Sequence, residues 1–191
     1  MKEKRIRIYT LLLALAANIL CTVLVYAFPI ESSAMKVWGS YAAVLLVAVA
    51  AWRFPTKFYL AAMAFVFFAS TLGSCVNLYR HVSFYDLFVH YVSGIVLAEG
   101  GYILASALMK RRALPEDHCL QLLFALCFSC ACAGFWEIYE YTADWLVGAQ
   151  MQGSKGNIMG DLICGVLGAL SDGAILALRQ RLSKRKLKQI G

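Results

Sequence analysis

The stretch YDLFVHYVSGIVLAEGGYILASALMKRR, residues 85–112, decides the fold. From Tyr85 to Met109 it is apolar for longer than the roughly 20 residues a helix needs to cross about 30 Å of hydrocarbon. It stops on Lys110, Arg111 and Arg112, and Pro115, Glu116 and Asp117 break the chain after it. Asp86, His90 and Glu99 interrupt the apolar run. A charged side chain at mid-membrane costs on the order of 2.5 to 3.5 kcal/mol, so such residues persist mainly where they serve a function.

Similar runs lie on both sides of this one: 8–28, 37–52, 58–78, 119–147 and 158–178, followed by a basic tail at 179–191. The chain has 191 residues, 61% hydrophobic and 15% charged, with a mean hydropathy of +0.68. That balance and length predict an all-α polytopic transmembrane bundle of about six spans, one integral membrane domain over 1–191 with no soluble domain beside it. The first run follows a basic Met1–Arg7, but it is too long for a signal-peptide core and lacks a small-residue cleavage site, so it reads as an uncleaved first helix.

The formal charge of +7 sits in clusters at Lys2–Arg7, Arg53 and Lys57, Lys110–Arg112 and Arg179–Lys188, against Lys36, Arg80 and Lys155 in the alternate loops. Positive residues mark the cytoplasmic side, so both termini are expected there. The clusters are topology signals, not a nucleic-acid surface; the expected partner is the lipid bilayer, and protein partners and oligomeric state are not legible. Trp136, Tyr139, Tyr141 and Trp145 fall where an outer aromatic belt belongs. The cysteines at 21, 75, 119, 127, 130, 132 and 164 lie mostly in apolar runs and read as small buried hydrophobes; one C-x-x-C at Cys127 and Cys130 without a second pair is a weak zinc signal. No G-x-S-x-G, phosphate loop, H-E-x-x-H or dinucleotide fingerprint occurs.

The polar residues inside the spans are the most informative. Asp86 and His90 are four apart and share a helix face; Glu137, Glu140, Tyr141 and Asp144 follow the i, i+3, i+4, i+7 stripe of another helix; Asp161 lies one turn past Asn157, with Gly165 and Gly168 on its face. Under the predicted topology Asp86, His90, Glu137 and Asp161 come from three helices to a similar depth near the extracytoplasmic boundary. They are the candidate ligands of a divalent metal ion, the possible cofactor, and His90 and Glu137 are the candidate catalytic acid and base. Glu140 and Asp144 form a second layer near the outer end, and Glu99 and Asp172 a deeper one, nine residues past His90 and eleven past Asp161. Each also has a bland reading: Asp86 in a capping box with Ser83, Asn157 as a helix cap, Asp161 as a charge serving the helix dipole, Glu140 and Asp144 as solvated groups, Glu99 paired with a neighbouring helix and Asp172 with a cation at the cytoplasmic end. His81 and His118 are expected in loops.

The blocks Y-D-L-F-V-H-Y-V-S-G at 85–94, G-F-W-E-I-Y-E-Y at 134–141 and N-I-M-G-D-L-I-C-G-V-L-G-A at 157–169 resemble the uncharacterised bacterial family typified by the inner-membrane protein YjdF. The resemblance covers roughly the C-terminal two thirds and implies a multi-pass protein of the bacterial cytoplasmic membrane. It implies a D-x-x-x-H at Asp86 and His90, a W-E-x-x-E at Trp136, Glu137 and Glu140, and a later acid at Asp161 with Gly168 following. Asn157 and Gly165 stand where acidic residues are expected in many relatives. A more distant similarity is to VanZ-like membrane proteins, whose D-K-x-x-H has Leu87 in place of its Lys here. Neither family implies a settled activity. The functions weighed are an envelope protein whose acidic/His cluster binds a divalent metal or acts on a lipid headgroup, a small proton- or cation-coupled transporter with Glu99 and Asp172 as inner stations, and a non-catalytic membrane partner.

Overall fold

A computed structural model describes residues 2–149, 151 and 155–190, the last stretch by backbone alone at 183, 184 and 186–190. Residues 150 and 152–154, in the loop expected at 148–156, lie outside the described residues, as do both terminal residues. The described residues form helices joined by short connections, with no strand among them: α1 (Lys2–Ala27), α2 (Ala34–Ala50), α3 (Thr56–Val66) continuing as a π-helix (Phe67–Cys75), a single turn α4 (Leu78–His81), α5 (Tyr85–Arg111), α6 (His118–Val147) and α7 (Lys155–Ile190). The chain is all-α, as its sequence predicts. Among the described residues five helical segments, with α3 and its π-helical continuation counted as one, are long and apolar enough to cross a membrane. With 17 residues, α2 spans about 25 Å at 1.5 Å per residue, the low end of what a span requires, and a bundle of about six spans is compatible with this set.

Two element boundaries differ from the sequence reading. The run at 58–78 is not one regular helix: after Val66 the hydrogen bonds lengthen to the π pattern, with the Val76 N–H bonding to the Thr71 carbonyl. Asn77, in the left-handed region at φ 64°, then ends the segment. The basic tail is not a separate element either, since α7 runs on to Ile190.

The chain divides into two compact units, Met1–Val89 and His90–Gly191. In the first, Arg7 pins the turn after α2 to α1. Its guanidinium donates to the carbonyls of Trp52 and Phe54, the latter at 2.9 Å, and lies about 6 Å from the ring centres of Trp52 and Tyr59. Farther along, Asn18 of α1, Ser40 of α2 and Thr71 of the π-helix are almost fully buried. Ser40 Oγ donates to Asn18 Oδ1 at 3.0 Å, and Thr22 Oγ1 lies 3.1 Å from the Tyr41 hydroxyl. In hydrocarbon, contacts of this kind hold helices together where lipid gives apolar faces little reason to associate. Lys36 Nζ donates to Asn77 Oδ1 at 2.8 Å and Asn77 Nδ2 to the Glu31 carbonyl at 2.6 Å, so the residue that ends the π-helix also ties down the loop after α1.

The second unit consists of α5 from His90 onward, α6 and α7. α5 and α7 run parallel and meet through glycine. A Cβ on Gly94 would collide with the carbonyl of Gly165, and one on Gly168 with the carbonyl of Tyr91. α6 runs antiparallel to α5: Ser129 Oγ donates to the Gly94 carbonyl at 3.2 Å, and a Cβ on Gly101 would lie 3.0 Å from the Cα of Ala125. These directions match three successive crossings joined by short connections. Gly165 and Gly168, on the stripe with Asp161 and Asp172, thus form the tightest part of a helix contact.

Candidate metal centre

α5 is one unbroken helix from Tyr85 to Arg111, so Asp86 in its first turn keeps the frame of His90 one turn later. Asp161 comes from the second turn of α7. Asp86, His90 and Asp161 each offer one ligand atom, and these atoms lie within 4.8 Å of one another. His90 and Asp161 are buried, the aspartate at 2% exposure, and Asp86 is half-buried. Among the described residues this is the one group of three or more acidic, histidine or cysteine side chains placed to hold a metal ion.

The backbone explains why the group converges. Side chains three or four residues apart on a helix stand one above the other, so Asp86 and His90 present a column. The glycine contact one turn farther along draws α7 against that column. The His90 carbonyl would lie 3.8 Å from a Cβ on Gly165, one turn past Asp161. Ser93 Oγ donates to that same carbonyl at 2.7 Å. Asn157 Nδ2 donates to Asp161 Oδ2 at 2.8 Å. At the position where an acid is expected in relatives, this chain has an amide that orients a candidate ligand, a function the sequence reading missed because it counted only charges.

Glu137 is buried on α6 but does not belong to the group of three. Ala133, one turn before it, packs beside Gly165, with its Cβ 3.7 Å from where a Gly165 Cβ would stand. Since α6 runs against α7, Glu137 lies at the level of Asp161, next to the group. Glu140 and Asp144 are not simply solvated: Trp136 Nε1 donates to Glu140 Oε1 at 2.8 Å, and Asp144 Oδ1 accepts from the Met151 N–H at 2.7 Å. The cysteines of α6 are free thiols, Cys119 and Cys127 exposed and Cys130 and Cys132 half-buried, and among the described residues they join no metal group.

At the opposite end of α5, α6 and α7 lies a polar network the sequence did not reveal. His118 is the first residue of α6, not a loop residue. Its Nδ1 lies 2.9 Å from Gln121 Oε1 and 3.3 Å from the Tyr102 hydroxyl. Gln180 Nε2 donates to the same hydroxyl at 2.6 Å. Asp172 is 5% exposed, with Glu99 and Arg179 near enough to act on it electrostatically.

The model of a protein family described as predicted membrane protein (DUF2238) matches residues 8–182. No curated protein and no solved structure matches the chain.

Proposed function

The chain belongs to this family of predicted membrane proteins, and from that premise we propose that it binds a divalent metal ion through Asp86, His90 and Asp161. The observation that carries the reading is the approach of three ligand atoms to within 4.8 Å of one another, two of the three residues being buried. One imidazole with two carboxylates suits borderline ions such as Zn²⁺ or Mn²⁺ better than Ca²⁺, which prefers oxygen alone. Three protein ligands leave coordination positions open for water or a substrate oxygen, the pattern of reactive rather than structural sites. Asn157 supplies the outer hydrogen bond that holds a ligating carboxylate in orientation. Glu137, at the level of Asp161 and outside the group, would take a proton from a water held by such an ion, with His90 as ligand.

The lysine and arginine bias supports an extracytoplasmic position for this end of α5 and α7, which we take to lie in a bacterial cytoplasmic membrane. A metal-dependent step on a lipid headgroup there is the chemistry that fits an interfacial cluster. The glycine packing between this end and the Glu99/Asp172 end favours a local site over a continuous path between helices.

The test is metal content of the full chain in detergent by inductively coupled plasma mass spectrometry, beside His90→Ala and Asp161→Asn variants of confirmed helicity. Near-stoichiometric Zn²⁺ or Mn²⁺ in the native chain and little in either variant is expected. Equal metal in all three would overturn the assignment. Protons compete with metal for all three ligands, so loading should also weaken as the pH falls.

A further inference from the structure

Asp172 lies eleven residues beyond Asp161 on α7, about 16 Å along the helix axis. It is 5% exposed, and its Oδ2 makes no hydrogen bond among the described residues. The charged groups acting on it are Glu99, across from it on α5, and Arg179, two turns farther along α7. The ion pairs of Arg7 with Glu3 and of Arg80 with Glu31 do not involve Arg179. Two carboxylates and one guanidinium leave one negative charge over, in a setting where a buried charge persists only if paired. The glycine contact separates this pair from the metal group at the other end.

We propose that Glu99 and Asp172 form a second cation-binding site, separate from the metal centre, that takes one small monocation. The residual charge of minus one sets the valence, and the unsatisfied Asp172 oxygen on α7, with Glu99 on α5, sets the place. A proton and Na⁺ share this chemistry, and experiment separates them. The other titratable groups at this end are Tyr102 on α5, which Gln180 holds by a 2.6 Å hydrogen bond, and His118 on α6, 3.3 Å from the Tyr102 hydroxyl. Glu116, before α6, acts on Tyr102 as well. Because these groups share one end of the helices, the informative quantity is the difference between the native chain and a variant at Asp172.

The experiment is thermal unfolding of the full chain in detergent, with Na⁺ replaced by choline at constant ionic strength, across pH 5.5 to 8.5. The native chain is compared with Asp172→Asn, Glu99→Gln and His90→Ala. Occupancy by Na⁺ predicts a melting temperature that rises by several degrees with Na⁺ in the native chain and not in Asp172→Asn or Glu99→Gln. Occupancy by a proton predicts no response to Na⁺ but stabilisation on acidification, lost in both variants. His90→Ala should keep the native response in either case, so failure of the metal assignment leaves this one standing. Equal responses of the native chain and both inner-site variants to Na⁺ and to pH would overturn the proposal.

Discussion

Asp161 has neighbours that a count of acidic residues does not supply. The i, i+4 spacing made Asp86 and His90 legible as a pair, because helix geometry alone stacks them. Asp161 was legible only as a third polar residue at similar depth; its approach depends on where two backbones touch. Asn157 was read as a missing acid, yet its amide donates to Asp161 at 2.8 Å. Removing such an outer-shell partner commonly lowers metal affinity 10- to 100-fold. Asn157→Ala should therefore weaken metal binding by about 10-fold or more in a competition titration, whereas Glu140→Gln, whose partner is Trp136, should leave it within about 2-fold if only outer-shell contacts to the triad count.

Among the elements, α5 and α7 show how little of a helix contact is written in hydropathy. Their lengths were readable from apolar runs and basic stops, but Gly94, Gly165 and Gly168 gain their meaning from being opposite one another. Gly168→Val would drive a branched side chain into the Tyr91 carbonyl, and overpacking of this kind costs on the order of 3 kcal/mol. The expected outcome is a lower melting temperature together with lost metal, although no ligand is changed. Gly134→Ala, where a Cβ would meet nothing within 4 Å, is the control and should keep both. The π-helix escaped sequence reading for a related reason: the residues at 67–75 include weak helix formers such as Ser70, Thr71 and Gly73, but nothing in their spacing announces a π register, and what distinguishes them is packing. Thr71 is fully buried there, and the Tyr85 hydroxyl donates to the Phe68 carbonyl at 2.8 Å.

For the whole molecule, composition decided most. In the apolar stretch of α1 only 22% of residues are buried, and in the third candidate span, α5, 33%. Leu13, Val49 and Trp145 are each more than 70% exposed. Faces of this kind belong in lipid, so the chain should stay with membranes through alkaline carbonate extraction and need detergent to leave them; release into the supernatant would contradict the transmembrane reading. The charge bias is less uniform in purpose than it looked in sequence. Arg7, counted among cytoplasmic markers, also holds the 51–55 turn through two carbonyls and the Thr56 hydroxyl. Arg7→Gln should lower the melting temperature, while Arg5→Gln, on the exposed side of α1, should not. The polar layer of Asn18 and Ser40 in the first unit was invisible to a search for charges, because neutral groups in hydrocarbon leave no mark on a net-charge count.

Where Gly94 and Gly168 cross, α5 and α7 meet backbone to backbone, with no side chain between them to change rotamer. A seam filled by leucines loosens one residue at a time, whereas backbone laid on backbone has no such slack. It acts as a fixed spacer between the two ends, which is why emptying the end at Asp86 and His90 is expected to leave Glu99 and Asp172 as they were.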